Sequence, residues 1–322
     1  MGFAECFARS PLLLMEGALG ERLKREYRLS FDEQIAMAAL IESELGCRAL
    51  EQLWGGYMAV AARYGLPFLA TTPTRRANRE RMARAGRNGE LIRKNVAFLC
   101  GVRERRAAGC ELYIGGLMGC RGDAYTGAEA MDTEEARFFH LWQARLFAEA
   151  GADFLYAGIM PTLPEALGMA QAMAETGLPY LLSFTIQGDG RLIDGSSIHE
   201  AIVRIDGGVS APPVCYLSNC VHPAIVYEAL SRPWNRTEAV RERFLGIQAN
   251  TSPLPLAELD GAAELHSAEP EPFAADMSRL HREMGLKLFG GCCGTDDRHM
   301  EAVARMLIRG EESGPGDTCQ AL

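Results

Sequence analysis

Eight short, mainly apolar runs punctuate this chain, with amphipathic stretches between them. They are Leu12–Glu16, Pro67–Thr72, Glu111–Leu117, Phe154–Ala157, Tyr180–Thr185, Val214–Ser218, Phe244–Ala249 and Leu286–Phe289. Most end in Gly, Asn, Ser or Thr, as parallel strands buried on both faces often do. Helical periodicity fills the gaps. In Thr133–Ala150, residues Ala136, Phe139, His140, Gln143, Leu146, Phe147 and Ala150 share one face, with Asp132 or Thr133 as N-cap and Gly151 as the stop. Pro164–Thr176, Pro223–Leu230, Phe273–Gly285 and Asp297–Ile308 repeat the pattern, two of them opening on proline. Strands alternating with helices at this count predict an α/β fold, a single-domain (β/α)8 barrel of the TIM type. A doubly wound sheet is the alternative. It calls for a glycine-rich turn after the first strand, and Glu16-Gly17-Ala18-Leu19-Gly20 is only a loose version of one. The barrel is expected over residues 1–309, followed by a flexible, Gly-rich tail over 310–322. Leu254–Pro272, rich in Pro, Ala and Glu, reads as a long connection or a lid over the barrel mouth.

A chain of 322 residues can bury a sizeable core without disulfides or metals. Its net charge of −9 argues against a general nucleic-acid or anionic-membrane binder. No run of 18 apolar residues is present, so no membrane span is expected. Glu5, Arg9 and Glu16 spoil the N-terminus as a signal peptide. The expected compartment is therefore the cytoplasm. In that reducing setting the ten cysteines are core residues, metal ligands or catalytic groups rather than a disulfide framework.

Two cysteine clusters carry the chemistry. Leu288-Phe289-Gly290-Gly291-Cys292-Cys293-Gly294-Thr295 places adjacent cysteines after an apolar strand, between glycines that let the backbone turn. Tyr216-Leu217-Ser218-Asn219-Cys220-Val221-His222-Pro223 ends a second strand on a cysteine, just before a Pro-opened helix. In a barrel both lie at strand C-termini, where active sites sit. Three thiolates around one cavity suit zinc and leave its fourth position open. The competing readings are three separate core cysteines, or a vicinal disulfide at Cys292–Cys293.

These motifs resemble the homocysteine S-methyltransferase family. The likeness rests on Gly290–Thr295 and on Asn219-Cys220 with Pro223. Ser183-Phe184-Thr185 followed by Asp194-Gly195, Gly151-Ala152-Asp153-Phe154, and Tyr125-Thr126-Gly127 agree in order, so that the resemblance spans Leu12 to Ile308. It implies a zinc site made by Cys220, Cys292 and Cys293. It also implies methyl transfer from a sulfonium or quaternary ammonium donor to a zinc-activated thiol, homocysteine or a relative, in methionine biosynthesis. Glu16, Gly17 and Asn219 are the expected substrate contacts. A corrinoid protein as methyl source, a non-catalytic zinc or thiol sensor, and a redox switch at the vicinal cysteines are the alternatives. The sequence does not specify an oligomeric state.

The departures from the family pattern fall on substrate recognition. Glu16-Gly17-Ala18 stands where Asp-Gly-Gly is usual, and Pro73 interrupts the usual Thr-Asn-Thr between Thr72 and Thr74. Gly158 replaces the Glu that holds the acceptor's amino group, so the acceptor is expected to differ from homocysteine. Arg75 to Arg106, with ten Arg, Lys94 and three Glu, reads as a solvated helix face rather than an anion site. His222 is a secondary candidate ligand or proton relay. Trp54, Trp142 and the remaining cysteines read as core or surface residues.

Overall fold

The computed structural model describes residues 2–107, 109–253 and 268–312. The eight expected strands close in chain order into one parallel barrel. They are β1 (Leu13–Met15), β2 (Phe68–Thr71), β3 (Leu112–Met118), β4 (Phe154–Met160), β5 (Tyr180–Phe184), β6 (Cys215–Val221), β7 (Phe244–Ala249) and β8 (Leu288–Gly291). Closure runs through Leu13 opposite Leu288 and Leu14 opposite Phe289.

The side-chain period of two sorts each strand into an inner and an outer set. Leu13 and Met15 join the barrel interior with Leu69, Phe154, Leu181, Leu217 and Leu288. Leu14, between them, packs outward against the helices. Gly115 makes room in this interior: a Cβ there would lie 2.5 Å from the Phe154 ring. Two residues further along several strands the interior turns polar, from Leu69 to Thr71, Leu181 to Ser183 and Leu217 to Asn219. The barrel is thus apolar at its N-terminal end and hydrogen-bonding at its C-terminal end.

The helices follow in order: α1 (Phe3–Arg9), α2 (Gly20–Arg25), α3 (Glu44–Arg63), α4 (Arg79–Arg84), α5 (Glu90–Arg106), α6 (Thr133–Glu149), α7 (Leu163–Ala174), α8 (Ile198–Gly208), α9 (Pro223–Ser231), α10 (Glu238–Arg243), α11 (Pro270–Met284) and α12 (Asp297–Glu312). Asp132 caps α6 by accepting from Glu135 N, and Ser197 with Glu200 forms a capping box on α8. The sequence pattern did not foretell α1. Its Phe3, Cys6 and Phe7 join the lower barrel interior, and the Phe3 ring stacks on Phe154 at 4.4 Å between centroids.

Some boundaries differ from expectation. β4 and β6 each run three residues past the predicted ends, to Met160 and Val221, and both extensions carry a register shift. Of the Leu254–Pro272 connection, residues 254–267 lie outside the described residues, and α11 already begins at Pro270. The last helix continues through Gly310 to Glu312, and the rest of the expected tail lies outside the described residues. No described helix is long and apolar enough to cross a membrane.

Candidate active site

The C-terminal end of β6 is bent by its own register. Asn219 pairs with Gln248 and Val221 with Ala249, so Cys220 is the extra residue of a bulge. Its φ is +56°, a left-handed conformation that costs a non-glycine residue about 1–3 kcal/mol. The bulge turns the Cys220 side chain toward the barrel mouth, where Cys292 meets it.

The end of β8 is shaped by close packing. Gly291 is pressed against Thr295, since a Cβ there would lie 2.2 Å from Thr295 Oγ1. Thr295 in turn closes the loop: its N and Oγ1 donate to Cys292 O at 3.1 and 2.7 Å, and Oγ1 accepts from Ala18 N at 3.0 Å. Cys293 N donates to Asn250 Oδ1 and Gly294 N to Glu21 Oε2. Only Gly294, φ +84°, supplies the left-handed turn that the sequence suggested for the whole glycine cluster. Gly290 and Gly291 serve close approach instead.

These two ends bring Cys220 and Cys292 Sγ atoms to 2.8 Å, with Cys293 the third thiol at the exposed rim. Hydrogen bonds from Cys292 and Cys293 hold the Cys220 thiol well below its ordinary range, and bonds with Cys220 and Cys293 push Cys292 well above it. Cys293, through its bond to Cys220, is pushed up to about 12. Among the described residues, no three His, Cys, Asp or Glu side chains stand in metal-holding geometry. Tetrahedral zinc keeps its sulfurs roughly 3.8 Å apart, so the touching pair must part by about 1 Å to share an ion. The donor set fits zinc in kind: three soft thiols with no carboxylate among them.

Around the thiols lies a cavity of about 210 Å³, lined by Glu16, Gly17, Leu117, Gly158, Ile159 and Asn219 among others. Cys220, Cys292, Cys293, Glu16, Gly17 and Asn219 therefore all face one space, which His222 does not line. Their roles divide. Glu16 is buried and accepts hydrogen bonds from Thr71 N, at 3.1 Å, and Thr71 Oγ1. Burial lifts its carboxyl to about 7, with the Thr71 bonds pulling the other way. Gly17 is fixed by packing: a Cβ would lie 2.7 Å from the Tyr57 hydroxyl, which itself donates to Ala18 O. Asn219 is committed to the barrel. Its Oδ1 accepts from Tyr156 and Ser183 hydroxyls at 2.5 Å each, and its Nδ2 donates to Gln248 Oε1 at 2.6 Å. It holds the β6 end in place more than it offers itself to a ligand.

Two residues that sequence reasoning missed also line the cavity, Tyr125 and Arg75. Tyr125 hydrogen-bonds Cys220, and the Cys220 charge drives its phenol far above the ordinary range. Arg75 corrects the reading of the basic run. It precedes α4, outside any helix, and its charge is felt at Cys220. The later part of the run behaves as expected, on exposed ion pairs such as Arg93–Glu149 and Arg105–Glu51. A basic run gives no hint that one member turns inward; the hint was Pro73, which breaks the strand just before it. His222 caps α9 through Nδ1, accepting from Ala224 N at 3.2 Å, and is thereby tied to the helix. Cys292 and Cys293 are free thiols, as are Cys6 and Cys215 in the core, whereas Cys319 lies outside the described residues.

A thiol cluster at the mouth of a (β/α)8 barrel defines a class of thiol- or metal-dependent barrel proteins. The homocysteine S-methyltransferase family model matches residues 13–307, and the chain belongs to that family. Homocysteine S-methyltransferase 4 of Zea mays is 25% identical over 195 residues, 59% of this chain and 55% of its own length. Betaine–homocysteine S-methyltransferase 1 of Rattus norvegicus is 27% identical over 186 residues, 55% of this chain and 44% of its own. The chain thus spans about half the length of the curated relatives it matches. Among solved structures, the metallated form of the Escherichia coli homocysteine methyltransferase MmuM superposes with a TM-score of 0.72. It covers 94% of this chain and 98% of its own at 20% identity, a likeness of fold.

Proposed function

We propose that the protein is a zinc-dependent S-methyltransferase, moving a methyl group from a sulfonium or quaternary ammonium donor to a small thiol. The observation that carries this reading is the convergence of Cys220, Cys292 and Cys293 at the ends of β6 and β8, in a chain of this family. When bound, zinc holds an acceptor sulfur as thiolate at neutral pH, where a free thiol of pKa about 8.5 is mostly protonated. The remaining work belongs to the chain. The β6 bulge and the Thr295 loop hold the three sulfurs. Arg75 balances negative charge gathered there. Leu117, Ile159 and Met37 form an apolar wall that limits water beside the reacting atoms. The new S–CH3 bond forms as the bond from methyl to the donor's cationic sulfur or nitrogen breaks, and the donor leaves as a neutral sulfide or amine. Positioning the two in line is the barrel mouth's main contribution.

The acceptor is proposed to lack, or not to depend on, the amino group of homocysteine, because Gly158 leaves no carboxylate at the β4 end. Glu16 is the remaining carboxylate of that cavity, and its burial favours the neutral form. The test is zinc content per chain together with methyl transfer to homocysteine and to 3-mercaptopropionate. About one zinc and comparable transfer to both thiols support the reading. No zinc after reduction and reconstitution would end it. A strong homocysteine preference abolished by Glu16→Ala would assign amine recognition to Glu16.

A further inference from the structure

A second cavity adjoins the thiol site. It measures about 340 Å³, and Arg75 and Tyr125 form walls of both spaces. Arg76 and Arg81 line it as well. Among the described residues, none of these three guanidinium groups pairs with a carboxylate or donates a hydrogen bond. Other arginines of the same segment do: Arg84 meets Glu80, Arg87 meets Glu42, and Arg103 meets Asp153. The pocket also holds Asp123 and Glu129. Asp123 spends its Oδ1 on its own loop, accepting from Tyr125 N at 2.7 Å and Thr126 N at 3.0 Å. Glu129 is solvent-exposed. Asp123 attracts Arg75 and Arg76 without forming an ion pair with either, so three neighbouring cations share the pocket and repel one another, a repulsion that an arriving carboxylate relieves. Guanidinium groups match carboxylates in shape and can grip them with two parallel hydrogen bonds.

We propose that the Arg75–Arg76–Arg81 pocket receives the carboxylate arm of a substrate whose reacting sulfur or methyl group lies at the thiol site. The inference rests on reading the thiol cavity as the transfer site, and it names the chemistry of what binds there. Arg75, on the wall common to both spaces, orients the molecule, while Arg76 and Arg81 hold its far end. Such a substrate needs no amine contact, which agrees with Gly158 at the β4 end. The carboxylate belongs either to the acceptor or to the donor, and these are separable.

The experiment is calorimetric titration of the zinc-loaded full chain with matched probes. For acceptors these are 3-mercaptopropionate, 2-mercaptoethanol and cysteamine. For donors they are 3-dimethylsulfoniopropionate and trimethylsulfonium. Wild type, Arg75→Gln, Arg76→Ala and Arg81→Ala are compared, the last two altering an exposed and a half-buried side chain. The expected result is that binding of the carboxylate probe of one set weakens by about tenfold or more in Arg81→Ala and Arg75→Gln, while its carboxylate-free partners do not weaken. The set that responds says whether acceptor or donor carries the arm. The acceptor probes share one thiol, so a defective thiol site weakens all of them together and counts against the proposed function instead. Equal affinity of wild type and all three variants for the carboxylate probes, or no binding of any carboxylate probe, overturns the proposal.

Discussion

The two ends of this barrel are built from the same strands and obey opposite rules. At the N-terminal end, Leu13, Phe154, Leu181 and Leu217 fill the interior and α1 closes it with Phe3 and Phe7. At the C-terminal end the inward positions become Thr71, Ser183 and Asn219, Cys220 takes a left-handed backbone, and Arg75 has no carboxylate ion-pair partner among the described residues. The closed end supplies stability that the open end draws on. Strain and uncompensated charge persist only where surrounding structure over-determines them. If the division is real, substitutions at the two ends should separate stability from chemistry.

The largest effect is expected at the open end. Cys292→Ala removes the thiol 2.8 Å from Cys220. Zinc should fall from about one per chain to near none, because three ligands are the fewest seen in catalytic zinc sites. Methyl transfer should vanish with it, while the urea midpoint of the metal-free protein changes little. Metal analysis and unfolding on the same preparation check both halves. A variant that keeps its zinc would break the comparison. At the closed end the expectation is reversed. Phe154→Ala removes a fully buried ring stacked on Phe3 and should cost about 3–5 kcal/mol in urea unfolding. Zinc per folded chain should stay near wild type, since none of the three site cysteines belongs to the interior cluster around that ring.

The same division governs what the sequence reveals. Strands buried on both faces are written as uninterrupted apolar runs, so all eight are legible from Leu12 to Phe289. The bulges are not, because Gly158 and Asn219 look like strand ends while the structure carries β4 and β6 beyond them. The cysteines are legible because two adjacent thiols between glycines have few structural uses. Arg75 is illegible because a run of arginines reads as one solvated face, and only the break at Pro73 separates it from the rest. Helix α1 is missed because seven residues carry too little periodicity. The role of Asn219 needs three strands to be known together: Tyr156 on β4, Ser183 on β5 and Gln248 on β7.

Glu16 sharpens the comparison through pH. Its carboxyl titrates near 7 in the folded chain against an ordinary value of 4.5, because burial disfavours the charge. Below about pH 4.5 it is neutral folded or unfolded, and folding carries no penalty from it. As pH rises toward 7 the unfolded chain releases the proton first, and stability falls by about 3 kcal/mol in total. Glu16→Gln keeps the shape and removes the proton, so its stability relative to wild type should rise by that amount between pH 4.5 and 7. Parallel pH curves for the two proteins would show that Glu16 is not desolvated.

The smallest effect is expected at the seam between the two ends. The Tyr156 hydroxyl donates to Asn219 Oδ1, and Gln248 Oε1 lies 2.9 Å away. Tyr156→Phe removes that hydroxyl, but Ser183 still donates to Asn219 and Asn219 still donates to Gln248. With both amides still partnered, the loss should be about 0.5–1.5 kcal/mol, the net worth of one hydrogen bond. The consequence at the thiols should be proportionately larger. Asn219 immediately precedes Cys220 on the bulge, so a loosened amide loosens the sulfur. Zinc affinity should drop by about tenfold, as when outer contacts of a metal site are lost. Competition with a chelator reads that change directly. An unchanged affinity would mean that the backbone bulge alone aims Cys220, and that the boundary between the stable and the reactive parts of the barrel lies above Asn219.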